Sequence, residues 1–156
     1  MLVKSFIDID TAKELLAWTE TQNLYRQGSN GRYGFYSTLD QCNNHPKCIN
    51  EIRKKCLDLV NGVYQEPLYK DFVNEVFVGG YVNEHTDPTV KDFKHLRCNI
   101  MLQKPEIGGQ IVFNKQPIDL DVGDMFILDT SVLHSVTQVK GSLSYKTIVF
   151  GFLCRE

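Results

Sequence analysis

The sequence HLRCNIMLQ, residues 95–103, alternates polar and apolar side chains over most of its length. This period of two is typical of a β-strand with one polar and one apolar face. Other short runs rich in Val, Ile, Phe and Tyr are separated by Gly, Pro and Asp turns: Phe72–Tyr81, Gln110–Phe113, Met125–Leu128, His134–Val139 and Ser144–Leu153. Many short strands at this spacing predict a mainly β fold, either a sandwich or a small barrel.

The first third of the chain has a helical pattern instead. Thr11-Ala12-Lys13-Glu14 has the form of a capping box, which predicts a helix over residues 11–22. Apolar residues also recur at helical spacing after Pro46, which predicts a second helix over residues 46–60. We therefore expect helices that flank the β core on its N-terminal side.

The length and composition are typical of one globular domain, which we expect to span residues 1–156. Of these 156 residues 42% are apolar and 23% are charged, a balance that excludes intrinsic disorder. We expect helices and a loop over residues 1–65 to support a β core over residues 66–156. The net charge of −2 predicts neither a nucleic-acid partner nor an anionic-membrane partner.

The N-terminal residues and the cysteines bear on the cellular compartment. No apolar stretch approaches the ~18 residues of a membrane span. Acidic Asp8 and Asp10 interrupt the region where a signal peptide would be apolar. The five cysteines are an odd number, so they cannot all pair within the chain. Together these features predict a cytoplasmic protein with reduced thiols.

A metal-binding pattern lies on the predicted strands. His85-Thr86-Asp87 follows a strand-like run, and residues two apart on a strand project from the same face. His134, at the start of a later run, is the best candidate for a third ligand. Two imidazoles and one carboxylate leave three positions of an octahedral metal open, as in non-haem Fe(II) oxygenases. The alternative is that His-x-Asp occurs by chance and that His134 is a hydrogen-bonded structural residue.

Lys146 is a cation inside an otherwise apolar run, YKTIVFGFL, residues 145–153. On a strand it shares a face with Ile148, Phe150 and Phe152. A buried ammonium is costly without an anionic partner, which a ligand carboxylate could supply. The alternative is that Lys146 lies at the end of the strand and extends into solvent.

Arg97 raises the same question on the 95–103 run, where it shares a face with His95 and Asn99. This face is either solvated or lines a pocket. In a pocket, the guanidinium could bind a carboxylate through a bidentate fork.

These residues together resemble the Fe(II)- and 2-oxoglutarate-dependent dioxygenases, particularly the small prolyl-hydroxylase-like branch. The matching blocks stand in the family's order within residues 68–154: His85–Asp87, Arg97–Leu102, Gly108–Phe113, Val122–Leu128, His134–Val136 and Lys146–Phe152. The resemblance implies a double-stranded β-helix (jelly roll) flanked by N-terminal helices. It also implies that His85, Asp87 and His134 hold Fe(II).

The resemblance further implies 2-oxoglutarate as co-substrate and O₂ as oxidant, with ascorbate as a candidate further cofactor. A basic residue on the last core strand would meet the distal carboxylate of 2-oxoglutarate. Ser144 occupies the position where the family usually has that residue, and Lys146 comes two residues later on the same face. Arg97 is the competing anchor, and Asn99 and Tyr81 are candidate hydrogen-bonding partners of 2-oxoglutarate.

The implied reaction couples oxidative decarboxylation of 2-oxoglutarate, giving succinate and CO₂, with hydroxylation of a substrate C–H bond. Asp87 favours hydroxylation, because halogenating relatives have a small residue in its place. The expected substrate is a peptidyl or free amino acid, with proline the leading candidate. The loop of residues 26–36 is either a lid over the substrate or an ordinary surface loop. Alternative functions are an oxygenase of a small molecule or nucleobase and a non-enzymatic jelly-roll binding module.

Overall fold

A computed structural model describes residues 1–22, 34–67 and 69–155, with the side chains of residues 34–37 outside that description. Its elements follow in the order β1 (Leu2–Val3), α1 (Ile9–Glu20), β2 (Gly34–Thr38), a 3-10 turn (Leu39–Gln41), α2 (Cys48–Leu59), β3 (Gly62–Gln65), β4 (Asp71–Val76), β5 (Val82–His85), β6 (Phe93–Gln103), β7 (Ile107–Gly108), β8 (Ile111–Phe113), β9 (Gln116–Ile118), β10 (Met125–Asp129), β11 (His134–Val136), β12 (Val139–Lys140) and β13 (Tyr145–Arg155). Within these ranges the fold is mainly β with two α-helices, as the sequence predicts. Neither of these helices is long and apolar enough to span a membrane.

Two antiparallel sheets form the body of the part of the chain that is described. In the larger sheet the strand order is β1-β10-β6-β13-β4-β2, and β3 pairs with the C-terminal part of β13. In the smaller sheet the order is β5-β11-β8-β9, while β7 and β12 pair with each other. This arrangement fits a β-sandwich, with the two helices packed on the outer face of the larger sheet.

The two faces of the larger sheet bury different apolar cores. Ile100 and Ile148 are paired across β6 and β13 and pack with residues of α1 and α2 on the outer face. On the inner face, Met101, Phe126 and Tyr145 join a second core that the smaller sheet completes. Burial on both faces explains why the sequence of β13 is apolar almost throughout.

The first helix begins earlier than its sequence pattern predicts. α1 starts at Ile9, and Asp8 caps it by accepting a 2.7 Å hydrogen bond from the Thr11 N–H. The predicted cap at Thr11 is therefore wrong, because the short Asp8 side chain already serves the free N–H groups of the first turn. The second helix, Cys48–Leu59, falls inside the predicted range of residues 46–60.

Two of the predicted strand runs are interrupted. The run Phe72–Tyr81 ends as a strand at Val76, and the chain turns before β5 begins. The run His134–Val139 divides into β11 and β12. These breaks place His85 at the end of β5 and His134 at the start of β11, and the two strands are neighbours in the smaller sheet.

Asp124 ties the N-terminal segment to the turn before β10. The residue is 2% exposed, and its carboxylate binds the Lys4 ammonium. It also accepts hydrogen bonds from the N–H groups of Ser5 and Asp121 at 2.8 and 2.9 Å. Burial alone would raise the pKa of Asp124, but these hydrogen bonds outweigh burial and hold the pKa below its ordinary value.

We expect Asp124 to make the stability of the protein depend on pH. A lowered pKa in the folded state means that the unfolded state takes up the proton first, so stability is lost as pH falls from ~5 towards ~3. Asp124→Asn should therefore be less stable at pH 7 by about 1–3 kcal/mol, with a deficit that shrinks as pH falls. Urea denaturation across this pH range measures the deficit, with exposed Asp10→Asn as the control. A deficit that stays constant with pH would contradict the assignment.

Candidate metal centre

Three side chains that the sequence marks as metal ligands meet at one edge of the smaller sheet. His85 ends β5 and His134 begins β11, and the two residues lie directly opposite each other in the antiparallel pair. Asp87 follows two residues after His85, where its backbone N–H donates a 2.9 Å hydrogen bond to the Thr130 carbonyl. This bond holds the chain after β5 at a position from which the Asp87 carboxylate reaches both imidazoles.

Each of the three side chains presents a ligand atom to a common point. The Nε2 atom of His85 lies 3.6 Å from Asp87 Oδ1, and the Nε2 atom of His134 lies 3.8 Å from Asp87 Oδ2. Ligand atoms of all three residues lie within 4.8 Å of one another, and the imidazole centroids are 4.3 Å apart. A divalent ion with ligand bonds of about 2.0–2.2 Å fits among atoms at this spacing.

Both imidazoles are oriented through their other ring nitrogen. Nδ1 of His85 lies 2.6 Å from the Asn83 carbonyl oxygen, and Nδ1 of His134 lies 2.8 Å from the Val132 carbonyl oxygen. A carbonyl oxygen only accepts, so the proton of each neutral ring is on Nδ1 and the lone pair is on Nε2, near Asp87. Metal-binding histidines usually have this arrangement.

The charge state of His134 also suits a metal ligand. Burial is the largest influence on its pKa and lowers it, and the neighbouring His85 lowers it further. The His134 imidazole is therefore neutral at pH 7, and only a neutral imidazole offers a lone pair to a metal.

A cleft opens beside the three candidate ligands. Phe72, Ile111 and Leu128 give it apolar walls, and Asn74 and Asn99 contribute polar groups to the same lining. Apolar walls with a few convergent polar groups are typical of a small-molecule site. The three candidate ligands thus lie beside a space in which a second molecule can bind.

The residues predicted to bind a co-substrate do not all reach this cleft. Arg97 and Asn99 project into it from β6. Tyr81 lies in the turn before β5, is 44% exposed and is not part of the cleft lining. The candidate lid over residues 26–36 falls largely outside the described residues, which resume at Gly34.

Lys146 lies on the opposite side of the larger sheet from the cleft. It shares the outer face of β13 with Ile148 and Phe150, as the alternation predicts, but that face packs against the helices. The residue is 6% exposed, and its Nζ lies 3.1 Å from Glu75 Oε2. The structure therefore corrects both explanations of this cation, because its partner is a buried carboxylate of the protein, neither a ligand nor solvent.

Glu66 is a buried partner of the cleft residues that the sequence analysis missed. It is 1% exposed, and its carboxylate pairs with Arg97 and binds the imidazole of His95. Burial alone would raise the pKa of Glu66, but the hydrogen bond to His95 and the charge of Arg97 outweigh it and lower the pKa. Gly151 makes the space, since a Cβ atom there would lie 2.2 Å from Glu66 Oε2. A glycine inside a bulky strand was the signal for this close approach.

Comparison with known proteins identifies the fold at low sequence identity. No protein-family model matches the sequence, and no curated protein matches it significantly. A collagen prolyl hydroxylase of Paramecium Bursaria Chlorella virus-1, solved as a 2-oxoglutarate complex, is similar with a TM-score of 0.71 and 17% identity, over 100% of this chain and 96% of that chain.

Two further solved structures show the same similarity. HygX from Streptomyces hygroscopicus, solved with nickel, 2-oxoglutarate and hygromycin B, has a TM-score of 0.72 and 12% identity, over 99% of this chain and 82% of that chain. A prolyl hydroxylase from Trichoplax adhaerens, solved with a hypoxia inducible factor peptide, has a TM-score of 0.65 and 14% identity, over 97% of this chain and 82% of that chain. The chain therefore has the fold of these proteins, which confirms the sequence resemblance at the level of the fold.

Proposed function

We propose that this protein is a non-haem Fe(II) oxygenase that uses 2-oxoglutarate to hydroxylate a substrate C–H bond. The meeting of His85, Asp87 and His134 beside a cleft, in a fold shared with 2-oxoglutarate-binding proteins, is the observation that carries the proposal. In this proposal the two sheets are the halves of a double-stranded β-helix, and residues 1–156 form one catalytic domain.

The donor set fits Fe(II). Two neutral imidazoles and one carboxylate bind one side of an octahedral ion and leave three positions open. Structural zinc sites are usually closed by four ligands, often thiolates, and no cysteine belongs to this cluster of described residues. His85, Asp87 and His134 would hold the metal, and their fixed Nδ1 hydrogen bonds keep the Nε2 atoms directed at it.

Asn74 of the cleft lining and Thr147, its buried neighbour on β13, offer groups that suit a 2-oxo acid. Asn74 and Thr147 are paired across β4 and β13, and both Asn74 Oδ1 and Thr147 Oγ1 are buried without a hydrogen-bond partner. The Nδ2 amide of Asn74 and the hydroxyl of Thr147 can donate hydrogen bonds to a carboxylate. The Nδ2 amide of Asn99 donates to the Arg97 and Phe126 carbonyl oxygens at 3.1 and 3.4 Å instead. We propose that Asn74 and Thr147 bind 2-oxoglutarate, with Asn99 and Arg97 beside Asn74 in the cleft lining.

Bound iron and 2-oxoglutarate would supply the oxidising power, by decarboxylation to succinate and CO₂ in the presence of O₂. The residues of this chain have the remaining tasks. They hold the metal, orient the co-substrate and, through the apolar walls at Phe72, Ile111 and Leu128, limit the access of water to the reacting groups.

We propose a peptidyl or free amino acid as substrate, with proline as the leading candidate. Two of the similar structures are prolyl hydroxylases, and one of them is solved with a peptide. A small molecule is the alternative, since HygX is solved with hygromycin B. The net charge of −2 provides no general attraction for a nucleic acid.

The proposal is tested with the purified protein, Fe(II) and 2-oxoglutarate. Without oxygen, we expect the visible charge-transfer band of the chelate between iron and the 2-oxo acid. After air is admitted in the presence of ascorbate, we expect succinate, at a rate that rises with the correct substrate from a panel of proline peptides and metabolites. Zn(II) in place of Fe(II) should give neither signal. A protein that shows the band but forms no succinate under any of these conditions would be a binding module instead.

A further inference from the structure

We infer that Glu66 and Arg97 form a positioning pair that sets the orientation of the Asp87 carboxylate and the charge that faces it. The inference rests on the proposed function, because it gives the pair a role at the proposed metal centre. Neither residue belongs to the three ligands, and Glu66 lies behind Arg97 as seen from Asp87.

The guanidinium of Arg97 bridges two carboxylates. Its Nη1 donates to Asp87 Oδ2 at 2.6 Å. Its Nε and Nη2 donate to the two oxygens of Glu66 at 3.0 and 3.4 Å. The Asp87 carboxylate is thereby held on one side by Arg97, while its other oxygen, Oδ1, lies 3.6 Å from the Nε2 of His85. Such support of a carboxylate fixes the direction from which it can bind a metal.

Glu66 is itself held in place, so it can fix the position of Arg97. Its backbone N–H donates to the Gly151 carbonyl at 2.9 Å, and its Oε1 accepts from the Tyr69 N–H at 3.2 Å. Its Oε2 also binds His95. Because Gly151 has no side chain, the carboxylate fits directly against β13, where a methyl group would collide with it.

The charges explain why the pair needs both of its members. Arg97 alone beside Asp87 would direct its full attraction at that carboxylate and compete with a bound cation. Glu66 supplies a second negative charge on the far side of the guanidinium, at 0% side-chain exposure. With Glu66 present, the attraction of Arg97 is shared between two carboxylates. Arg97 then competes less strongly with a metal ion for the Asp87 carboxylate.

This arrangement separates Arg97 from the role of a carboxylate anchor. A guanidinium can bind a carboxylate bidentately through Nε and one Nη or through both Nη atoms. In Arg97 the first edge faces Glu66, and Nη1 of the second edge donates to Asp87. A ligand carboxylate would have to displace Glu66 or Asp87, so we assign Arg97 to Asp87 and leave the co-substrate to the neutral groups of the cleft.

The test measures Co(II) binding, which needs neither turnover nor a known substrate. Glu66→Gln keeps the shape of the side chain but removes its charge. Arg97→Lys keeps the positive charge but removes the planar guanidinium, whose N–H groups reach both carboxylates. For both variants we expect the Co(II) dissociation constant to rise about 10–100-fold, with a changed visible absorption spectrum of the bound Co(II). Gly151→Ala should act in the same direction, because it displaces Glu66 while every charged residue remains.

The matched control is Arg53→Lys. Arg53 forms a comparable pair with buried Asp71, Nε to Oδ2 at 2.5 Å, on the helix side of the larger sheet. This variant should bind Co(II) with wild-type affinity and spectrum. Thermal unfolding of the metal-free variants, followed by circular dichroism, separates a general loss of stability from the loss of metal affinity, since both Arg→Lys variants weaken the pairing of an arginine with a buried carboxylate.

Three results would be decisive against the inference. Wild-type Co(II) affinity and spectrum in Glu66→Gln and Arg97→Lys would overturn it, as would an equal loss of affinity in Arg53→Lys. Normal Co(II) binding in Arg97→Lys with a tenfold higher requirement for 2-oxoglutarate would make Arg97 the anchor instead. The proposed function fails separately, if the wild-type protein binds no Co(II) or if His134→Ala binds it equally well.

Discussion

His134→Ala is expected to lose both the anaerobic charge-transfer band and the formation of succinate. The Nε2 of His134 is one of only three donors that the described residues bring to the site. Alanine leaves His85 and Asp87, which cannot hold the ion in a defined geometry. Loss of a supporting residue around a metal site costs about 10–100-fold, so loss of a ligand should cost more than that. The measurement is succinate formed per mole of protein after oxygen is admitted.

The matched control for this experiment is His45→Ala. His45 lies outside the cleft, where its Nε2 contacts the carbonyl oxygens of Leu39 and Cys42 at 2.7 and 3.1 Å. This variant also removes one imidazole, yet it should show the band and form succinate as the wild-type protein does. If His134→Ala retained succinate formation at the wild-type rate, the site proposed here would not be the reaction centre.

The meeting of His85, Asp87 and His134 could be predicted from the sequence because the pattern of these residues is partly local. His85 and Asp87 are two residues apart, and the end of a strand brings such residues to one side. The prediction of His134 as the third residue also required the expectation that a later strand pairs with β5. The structure places β11 there, with His134 opposite His85. Local spacing together with family order was therefore sufficient to predict which three side chains meet.

The position of Lys146 could not be predicted in the same way. Alternation shows that Lys146 lies on one face with Ile148 and Phe150, but not which of the two faces of β13 points into the cleft. In a strand with one face exposed to solvent, polar residues would mark that face and so identify the opposite face as the inner one. β13 is buried on both sides over Tyr145–Cys154, so its sequence carries no such signal.

Glu66 was beyond the sequence analysis because its role depends on contacts between distant segments. It precedes β4, while its partners His95 and Arg97 lie on β6 and its space is made by Gly151 on β13. The alternation of β6 did indicate that His95 and Arg97 share a face. It did not indicate that the anion they meet belongs to the protein itself.

Lys146→Met is expected to destabilise the fold without raising the requirement for 2-oxoglutarate. The Lys146 side chain is 7% exposed and that of Glu75 is 12% exposed, and the two pair across β13 and β4. Removing the ammonium leaves a buried carboxylate without its counter-charge, a change that typically costs about 3–5 kcal/mol. Urea denaturation measures this loss, and the dependence of succinate formation on 2-oxoglutarate concentration should match that of the wild-type protein.

The double variant Lys146→Met/Glu75→Met separates this explanation from a role in binding the co-substrate. Replacement of both charges by apolar side chains of similar length removes the uncompensated carboxylate, so most of the lost stability should return. A ligand-binding lysine behaves in the opposite way, because removal of Glu75 cannot restore a lost contact with 2-oxoglutarate. If Lys146→Met were as stable as the wild-type protein but needed tenfold more 2-oxoglutarate, and the double variant needed as much, the ammonium would act in the cleft and not on the outer face of the sheet.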